Sequence, residues 1–394
     1  MTSKSWPRRS GLACGTISLL ICGLASAQSP PAAALAVVDQ EDAAQWQAWA
    51  KDSGWRVITA APGANPDARV QALAAAVDEA VRAGQDPSRI YLVGRGAGTA
   101  GVFYTISRVP DRWAAALAID GSPQPAIDTD RIYTANFANV PVLWAGSGAG
   151  DEALAAKLKE AGMKLEWRTS NGLTNKTAFE WLARHKRDAF PGEIDCETNS
   201  PVFARCYWIQ MMKFDPRERN DVLPSTKLQG ANGASLNLGG FGYKPDEAGP
   251  GVLVSVLPEK YSGPLKVGDR IVGLDGRPIE NGRAYLEMMS RYTEDKPAVA
   301  TIQRGKDRIR LETRVVLPRR DATVTARVEA QYLPADREIQ IVSRTVTEMQ
   351  VTVPPQWAQD SRLLWNGLTL EKVEGPGCYV LTVEKELLHA AKCP

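Results

Sequence analysis

Between residues 34 and 190, short runs of consecutive apolar residues alternate with longer segments whose apolar positions recur at helical spacing. The runs Leu35–Asp39, Trp55–Ala60, Arg89–Gly94, Ala114–Ile119, Val140–Ala145 and Lys164–Thr169 read as strands. The segments Ala43–Lys51, Asp67–Ala83, Thr99–Arg108, Glu152–Ala161 and Lys176–His185 read as helices. Strands without a polar alternate are buried on both faces, so this pattern predicts an α/β domain with a doubly wound parallel sheet. After residue 320 the period falls to two. Val324–Tyr332, Glu338–Val342, Glu348–Val353 and Tyr379–Glu384 read as half-buried strands, with turns at Pro334-Ala335-Asp336 and Asn366-Gly367. The aromatic and β-branched run Pro201–Met211 reads as one more strand, and polar Asp215–Gln229 as a linker. A β module of residues 321–394 alone is small for a sandwich. A single small β-sandwich built from it and the 191–229 strand is expected, with residues 230–318 inserted between.

The beginning of the chain changes the compartment. Lys4, Arg8 and Arg9 precede the apolar stretch Gly11–Leu24, and Ala25-Ser26-Ala27 forms a small-residue cleavage site. Residues 1–27 therefore read as a signal peptide, and a periplasmic or secreted location is expected. The apolar stretch is short for a membrane span, which needs roughly 20 residues, and no span is expected after cleavage. Removing the three basic residues turns the formal charge from +2 to −1. A near-neutral chain without basic runs argues against nucleic acid as a partner. Four cysteines remain, in two close pairs, which in an oxidising compartment suggests the disulfides Cys196–Cys206 and Cys378–Cys393. Neither pair has C-x-x-C spacing and both histidines lie elsewhere, so no metal site is expected.

The candidate chemistry sits in Ile90-Tyr91-Leu92-Val93-Gly94-Arg95-Gly96-Ala97-Gly98, a strand running through three alternating glycines into a helix. This resembles the nucleophile elbow of the α/β-hydrolase family, G-x-S-x-G, particularly as it occurs in secreted esterases and depolymerases. Trp113–Gly121 and Val140–Gly146 resemble the strands that follow, and Phe179–Arg187 resembles the closing helix. The resemblance implies a serine at the position of Gly96, which has no side chain. It places the acid near Asp151, and the base in the loop Thr169–Asn175, which contains no histidine. His185 lies about ten residues later. Where the family carries oxyanion donors, this chain has Asp39-Gln40-Glu41-Asp42, three carboxylates that would repel a developing oxyanion. Nucleophile, base and donors act together, so a degenerate catalytic elbow at Gly94, Gly96 and Gly98 is expected. Gly96 to Gly101 also fits G-x-G-x-x-G with Asp120 downstream. It lies on the third strand rather than the first, and no cofactor is expected.

Residues 230–318 resemble a PDZ domain. The resemblance rests on the strand Gly251–Val256, on Leu265-Lys266-Val267-Gly268-Asp269-Arg270-Ile271, on a helix over Arg283–Arg291, and on the hairpin Ala298–Arg304 and Arg308–Val315. Gly240-Phe241-Gly242-Tyr243 matches the family's carboxylate-binding loop, which implies a peptide or protein C-terminus as partner. The resulting expectation is an exported pseudo-hydrolase scaffold with a peptide-binding module. An active esterase or peptidase-like hydrolase with an unconventional site is one alternative. A structural envelope protein whose groove is filled by its own residues is another.

Overall fold

A computed structural model describes residues 33–148, 150–218, 220–230, 233–243, 247–317, 323–357 and 361–394, all within one compact unit. The signal-peptide segment 1–27 lies outside the described residues.

The first 150 described residues build a six-stranded parallel sheet. Its strands are β1 (Ala34–Val37), β2 (Arg56–Ile58), β3 (Ile90–Arg95), β4 (Ala115–Ile119), β5 (Val142–Gly146) and β6 (Leu165–Thr169), in the order β2-β1-β3-β4-β5-β6. The helices are α1 (Ala43–Lys51), α2 (Pro66–Arg82), α3 (Gly98–Arg108), α4 (Gln124–Ile127), α5 (Asp151–Glu160) and α6 (Asn175–Ala183). Side chains alternate across each strand, so every strand feeds two cores. Ala36, Leu92, Ala118 and Trp144 pack with α2, α3 and α5, while Leu35, Val93, Leu117 and Leu143 pack with α1 and α6. Local signals fix the helix starts. Asn65 accepts the amide of Ala68 at 2.9 Å ahead of Pro66, and Thr174 and Thr177 form a reciprocal capping box. The sheet with helices on both faces fits an α/β-hydrolase-like fold.

The chain then enters a β-rich region twice. Its first pass gives β7 (Glu193–Thr198), β8 (Arg205–Cys206) and β9 (Ile209–Phe214). A separate mixed unit follows, with β10 (Ser235–Leu236), β11 (Val252–Leu253), β12 (Arg270–Leu274), β13 (Arg277–Pro278), α7 (Gly282–Ser290), β14 (Lys296–Arg304) and β15 (Asp307–Val316). Its sheet runs β10-β15-β14-β12-β11 over its own core, which includes Ile271, Tyr285, Met289 and Val315. The second pass gives β16 (Ala326–Leu333), β17 (Glu338–Arg344), β18 (Val346–Val353), β19 (Arg362–Trp365), β20 (Leu368–Leu370), β21 (Gly377–Glu384) and β22 (Leu387–Lys392). Here two five-stranded sheets, β20-β19-β17-β16-β7 and β22-β21-β18-β9-β8, share one core. Residues from both sides of the mixed unit pair directly, Cys196 opposite Val328 and Met211 opposite Met349. The two expected disulfides are present, with Cα–Cα separations of 6.0 Å for Cys196–Cys206 and 5.3 Å for Cys378–Cys393. No described helix is long and apolar enough to cross a membrane.

The segment expected to be a linker is instead stitched into the body. Glu197 of β7, whose side chain is 0% exposed, accepts from the Ser225 hydroxyl at 2.5 Å and from the Thr226 amide at 2.6 Å. Thr325 donates to it as well, and Arg344 of β17 pairs with it at 3.1 Å. The Glu197 amide donates to Asn136 Oδ1 at 2.7 Å, and Asn136 donates back to the Glu197 carbonyl at 2.9 Å. Ser225 and Thr226 in this segment therefore satisfy a buried carboxylate. A buried charge is tolerable only when paired and hydrogen-bonded. Glu197→Ala, which leaves Arg344 without its countercharge, is expected to cost about 3–5 kcal/mol. Urea unfolding measures it, and a loss under about 1 kcal/mol would mean that this network holds nothing together.

Candidate functional site

The sheet order reverses between β1 and β3, so the crevice beyond their C-terminal ends is the switch point where open α/β sheets bind ligands. The glycine elbow sits there. Gly96 adopts φ +52°, the left-handed conformation that an elbow requires, and a Cβ added to it meets nothing within 4 Å. Gly94 is different. A Cβ there would stand 2.6 Å from the Gly98 carbonyl oxygen and 2.8 Å from Val38 Cγ2, so the strand and helix meet only because the residue is glycine. The sharp turn is intact, with room above it for a side chain that the chain does not have.

Around this turn the residues at the other expected hydrolase positions have partners of their own. Asp151 Oδ2 accepts the Gly148 amide at 2.7 Å, so the carboxylate closes its own loop at the start of α5. His185 follows α6. Its carbonyl accepts from Tyr91 near the beginning of β3 at 3.0 Å, five residues before Gly96. At about 3.3 Å per residue that is roughly 16 Å along the strand, far outside proton-transfer reach. Burial, then Arg184, holds the His185 imidazole below its usual range. In the acidic segment after β1, Asp39 caps the next turn by accepting from Glu41, and Asp42 Oδ2 accepts the Arg95 amide at 3.3 Å. A carboxylate thus adjoins the elbow where a donor would be needed.

Arg95 and Asp120 were not both singled out by sequence pattern, yet they pair at 3.7 Å across the elbow, and the Arg95 guanidinium lies 5.0 Å from the Trp49 ring centre. That ion pair also occupies the acidic residue of the dinucleotide-like pattern. Two small cavities flank the turn. One, of about 250 Å³, is lined by Val38, Val70, Gly98, Gly101 and Tyr104; the other, of about 150 Å³, by Trp49, Arg95, Asp120 and Thr174. Among the described residues no group of three or more potential metal ligands gathers anywhere.

A larger cavity lies elsewhere. It measures about 860 Å³ and is lined by Leu236, Gly240, Phe241, Tyr243, Tyr285 and Leu286, among others, so the loop singled out by sequence opens onto it. The rings of Phe241 and Tyr243 are 5.9 Å apart, and Tyr243 meets Tyr285 of α7 edge-on at 5.7 Å. Burial pushes both phenols up, with Tyr243 adding to the effect at Tyr285, so both stay neutral at physiological pH. The loop backbone departs from a run of convergent amides. The Gly242 amide donates to the Val256 carbonyl at 2.7 Å, and the Gly242 carbonyl accepts from Ser255 at 2.9 Å. Both bonds of Gly242 are thus turned toward the Ser255–Val256 strand. Sequence reasoning also missed Gln124 and Asp128 at the end of α4, which line this cavity from the parallel-sheet part. Nothing in a one-dimensional pattern could have placed them there.

No family model matches this chain, and no curated protein matches it. Solved structures give weak likenesses. SOBER1 of Arabidopsis thaliana is 14% identical over 39% of this chain and 99% of its own, with a TM-score of 0.31. Esterase PE8 is 19% identical over 39% of this chain and 96% of its own, with a TM-score of 0.28. A thermostable esterase is 21% identical over 29% and 37% respectively, with a TM-score of 0.21. The fold assignment rests on the sheet order and on the packing of helices against both faces.

The elbow geometry yields a direct test. Gly96→Ser has space for its side chain and carries the cost of a left-handed non-glycine residue, about 1–2 kcal/mol. It is expected to fold with a slightly lowered Tm and to hydrolyse p-nitrophenyl acetate no faster than the parent chain, because a serine without a base is a weak nucleophile. Substantial turnover by this single variant would reveal a base in the crevice.

Proposed function

We propose that this chain is an exported, catalytically inactive α/β-hydrolase-like scaffold whose residues 230–318 form a PDZ-type module that binds extended peptides by their C-termini. One observation carries the reading. The Gly240–Tyr243 loop opens onto a cavity of about 860 Å³ walled by α7, whereas His185 is tied by its carbonyl to Tyr91 near the start of β3, away from the elbow. That volume lies within the range of small-ligand sites, and Phe241 and Leu286 offer an apolar lining for a terminal side chain. The amides of Phe241 and Tyr243 supply donors for a carboxylate, and the strand edge beyond them suits β-augmentation. Two disulfides suit an oxidising compartment and thus export. The degenerate elbow then serves as a structural corner of the scaffold.

A second reading, an internal clamp, draws on the position of Gln124 and Asp128 in the cavity wall, since one part of the chain there faces the groove of another. The two readings part on whether the groove accepts a ligand. A library of C-terminal peptides applied to the full chain is expected to yield micromolar binders, equivalent to about 8 kcal/mol, and amidation of the terminal carboxylate is expected to abolish binding. Gly242→Val is expected to weaken binding at least about tenfold, because a Cβ there stands 3.2 Å from Val256 Cβ and displaces the bridge that shapes the loop. Isothermal titration measures both. A library without a single binder would favour the clamp.

A further inference from the structure

The C-terminal end of the parallel sheet carries a cluster of polar side chains that the peptide groove does not use. The cavity of about 150 Å³ beside the glycine elbow draws on Trp49 of α1, Arg95 at the end of β3, Asp120 after β4, and Ser170 and Asn175 in the turn from β6 into α6. Backbone ties set each of these positions. Gly96 donates to the Ile119 carbonyl at 2.8 Å, Asp120 to Ala145 at 2.9 Å and Ser170 to Gly146 at 3.0 Å. The Thr174–Thr177 capping box fixes the start of α6. Asp120 takes φ +52°, a conformation that non-glycine residues seldom adopt and aspartate tolerates better than most.

The hydrogen-bonding capacity left over here points to a ligand. Arg95 Nη2 and Asp120 Oδ2 stand 3.7 Å apart, too far for a direct hydrogen bond. Among the described residues no acceptor meets the guanidinium, whose Nε is buried and unpaired, and no donor meets the Asp120 carboxylate. The side chains of Ser170 and Asn175 have no hydrogen bond within the described chain either.

We propose that this cavity binds a neutral pyranose, as a monosaccharide or a terminal sugar unit, through the Arg95–Asp120 pair. A single oxygen about 2.8 Å from both groups bridges their gap if it accepts from the guanidinium and donates to the carboxylate. Among neutral organic groups, a hydroxyl does both through one atom. Charge narrows the choice further. An added anion is repelled by Asp120 and an added cation by Arg95, whereas a hydroxyl leaves the pair intact. An apolar ligand would strip both charges of water and return nothing. A neighbouring hydroxyl finds partners in Ser170 and Asn175, and Trp49, 5.0 Å from the guanidinium, gives an apolar wall for ring carbons. The size agrees, since a cavity of about 150 Å³ in another protein holds one benzene-sized ring. Arg95 and Asp120 keep 32% and 43% of their side chains exposed, so the ring's outer hydroxyls remain in water. None of these residues lines the larger cavity, and the peptide-binding reading is not needed here.

Saturation-transfer difference NMR on the full chain tests this with the methyl pyranosides of glucose, galactose, mannose and N-acetylglucosamine. At least one is expected to show transfer to its ring protons, with a dissociation constant on the order of 1 mM. Tetrahydropyran, which keeps the ring and lacks the hydroxyls, is expected to show none, as are acetate and alanine. Asp120→Asn tolerates the same φ and removes the charge; it should weaken the best pyranoside about fivefold, and Asn175→Ala about twofold. Asn175 is exposed, so its variant carries the test even if Asp120→Asn unfolds, which thermal melting checks. Silence from all four pyranosides at about 50 mM, far above the expected constant, would overturn the site. Transfer to tetrahydropyran, acetate or alanine equal to that of the best pyranoside would overturn hydroxyl recognition. Pyranoside binding that neither substitution weakens would place the sugar elsewhere and overturn the assignment to this cavity.

Discussion

The buried carboxylate of Glu197 is the constraint on which the arrangement of this chain depends. It lies on β7, yet its carboxylate takes partners from the segment after β9, from residues beside β16 and from β17, while the backbone of the same residue bonds Asn136 of the parallel-sheet domain. A dry carboxylate with four partner residues fixes all of them, because withdrawing any one leaves a costly unsatisfied group. The consequence is positional. The β-rich region is held against the α/β sheet, and the chain is led out of that junction straight into the mixed unit whose groove faces α4. The cavity of the mixed unit thus takes one wall, Gln124 and Asp128, from the parallel-sheet domain.

The glycine elbow is held by contacts of its own backbone. Gly94 is required by the close approach of Gly98, whereas Gly96 is favoured by its positive φ alone and has open space where a Cβ would stand. Asp42 accepting from the Arg95 amide, and the Arg95–Asp120 pair, fill the neighbourhood with interactions that serve stability. Conformational strain at such a corner persists because the surrounding sheet over-determines it.

Much of this was legible in the sequence, for physical reasons that differ by region. Strands β3, β4 and β5 are buried on both faces, so their uninterrupted apolar runs marked them; β2, half exposed at the sheet edge, shrank from Trp55–Ala60 to Arg56–Ile58. The four-residue helix α4 between Pro123 and Asp128 was too short and proline-rich to show a period. Polarity misled at 215–229, because Ser225 and Thr226 there, though not themselves buried, hydrogen-bond the buried Glu197 carboxylate. The cysteine pairs followed from spacing and compartment. At the loop, Gly240 to Tyr243 could be found, but which amides face the cavity depends on Val256, thirteen or more residues away. The contribution of Asp128 to the groove is purely tertiary.

The central claim is that this chain recognises a ligand in the groove of its mixed unit while the glycine elbow stays inert. Hydrogen–deuterium exchange of the full chain, with and without a valine-terminated peptide bearing a free carboxylate, addresses both halves at once. The account predicts protection on binding at residues 233–243, at 285–290 and at 124–128, with exchange at 94–98 unchanged. Protection confined to the elbow and its flanking cavities would contradict it.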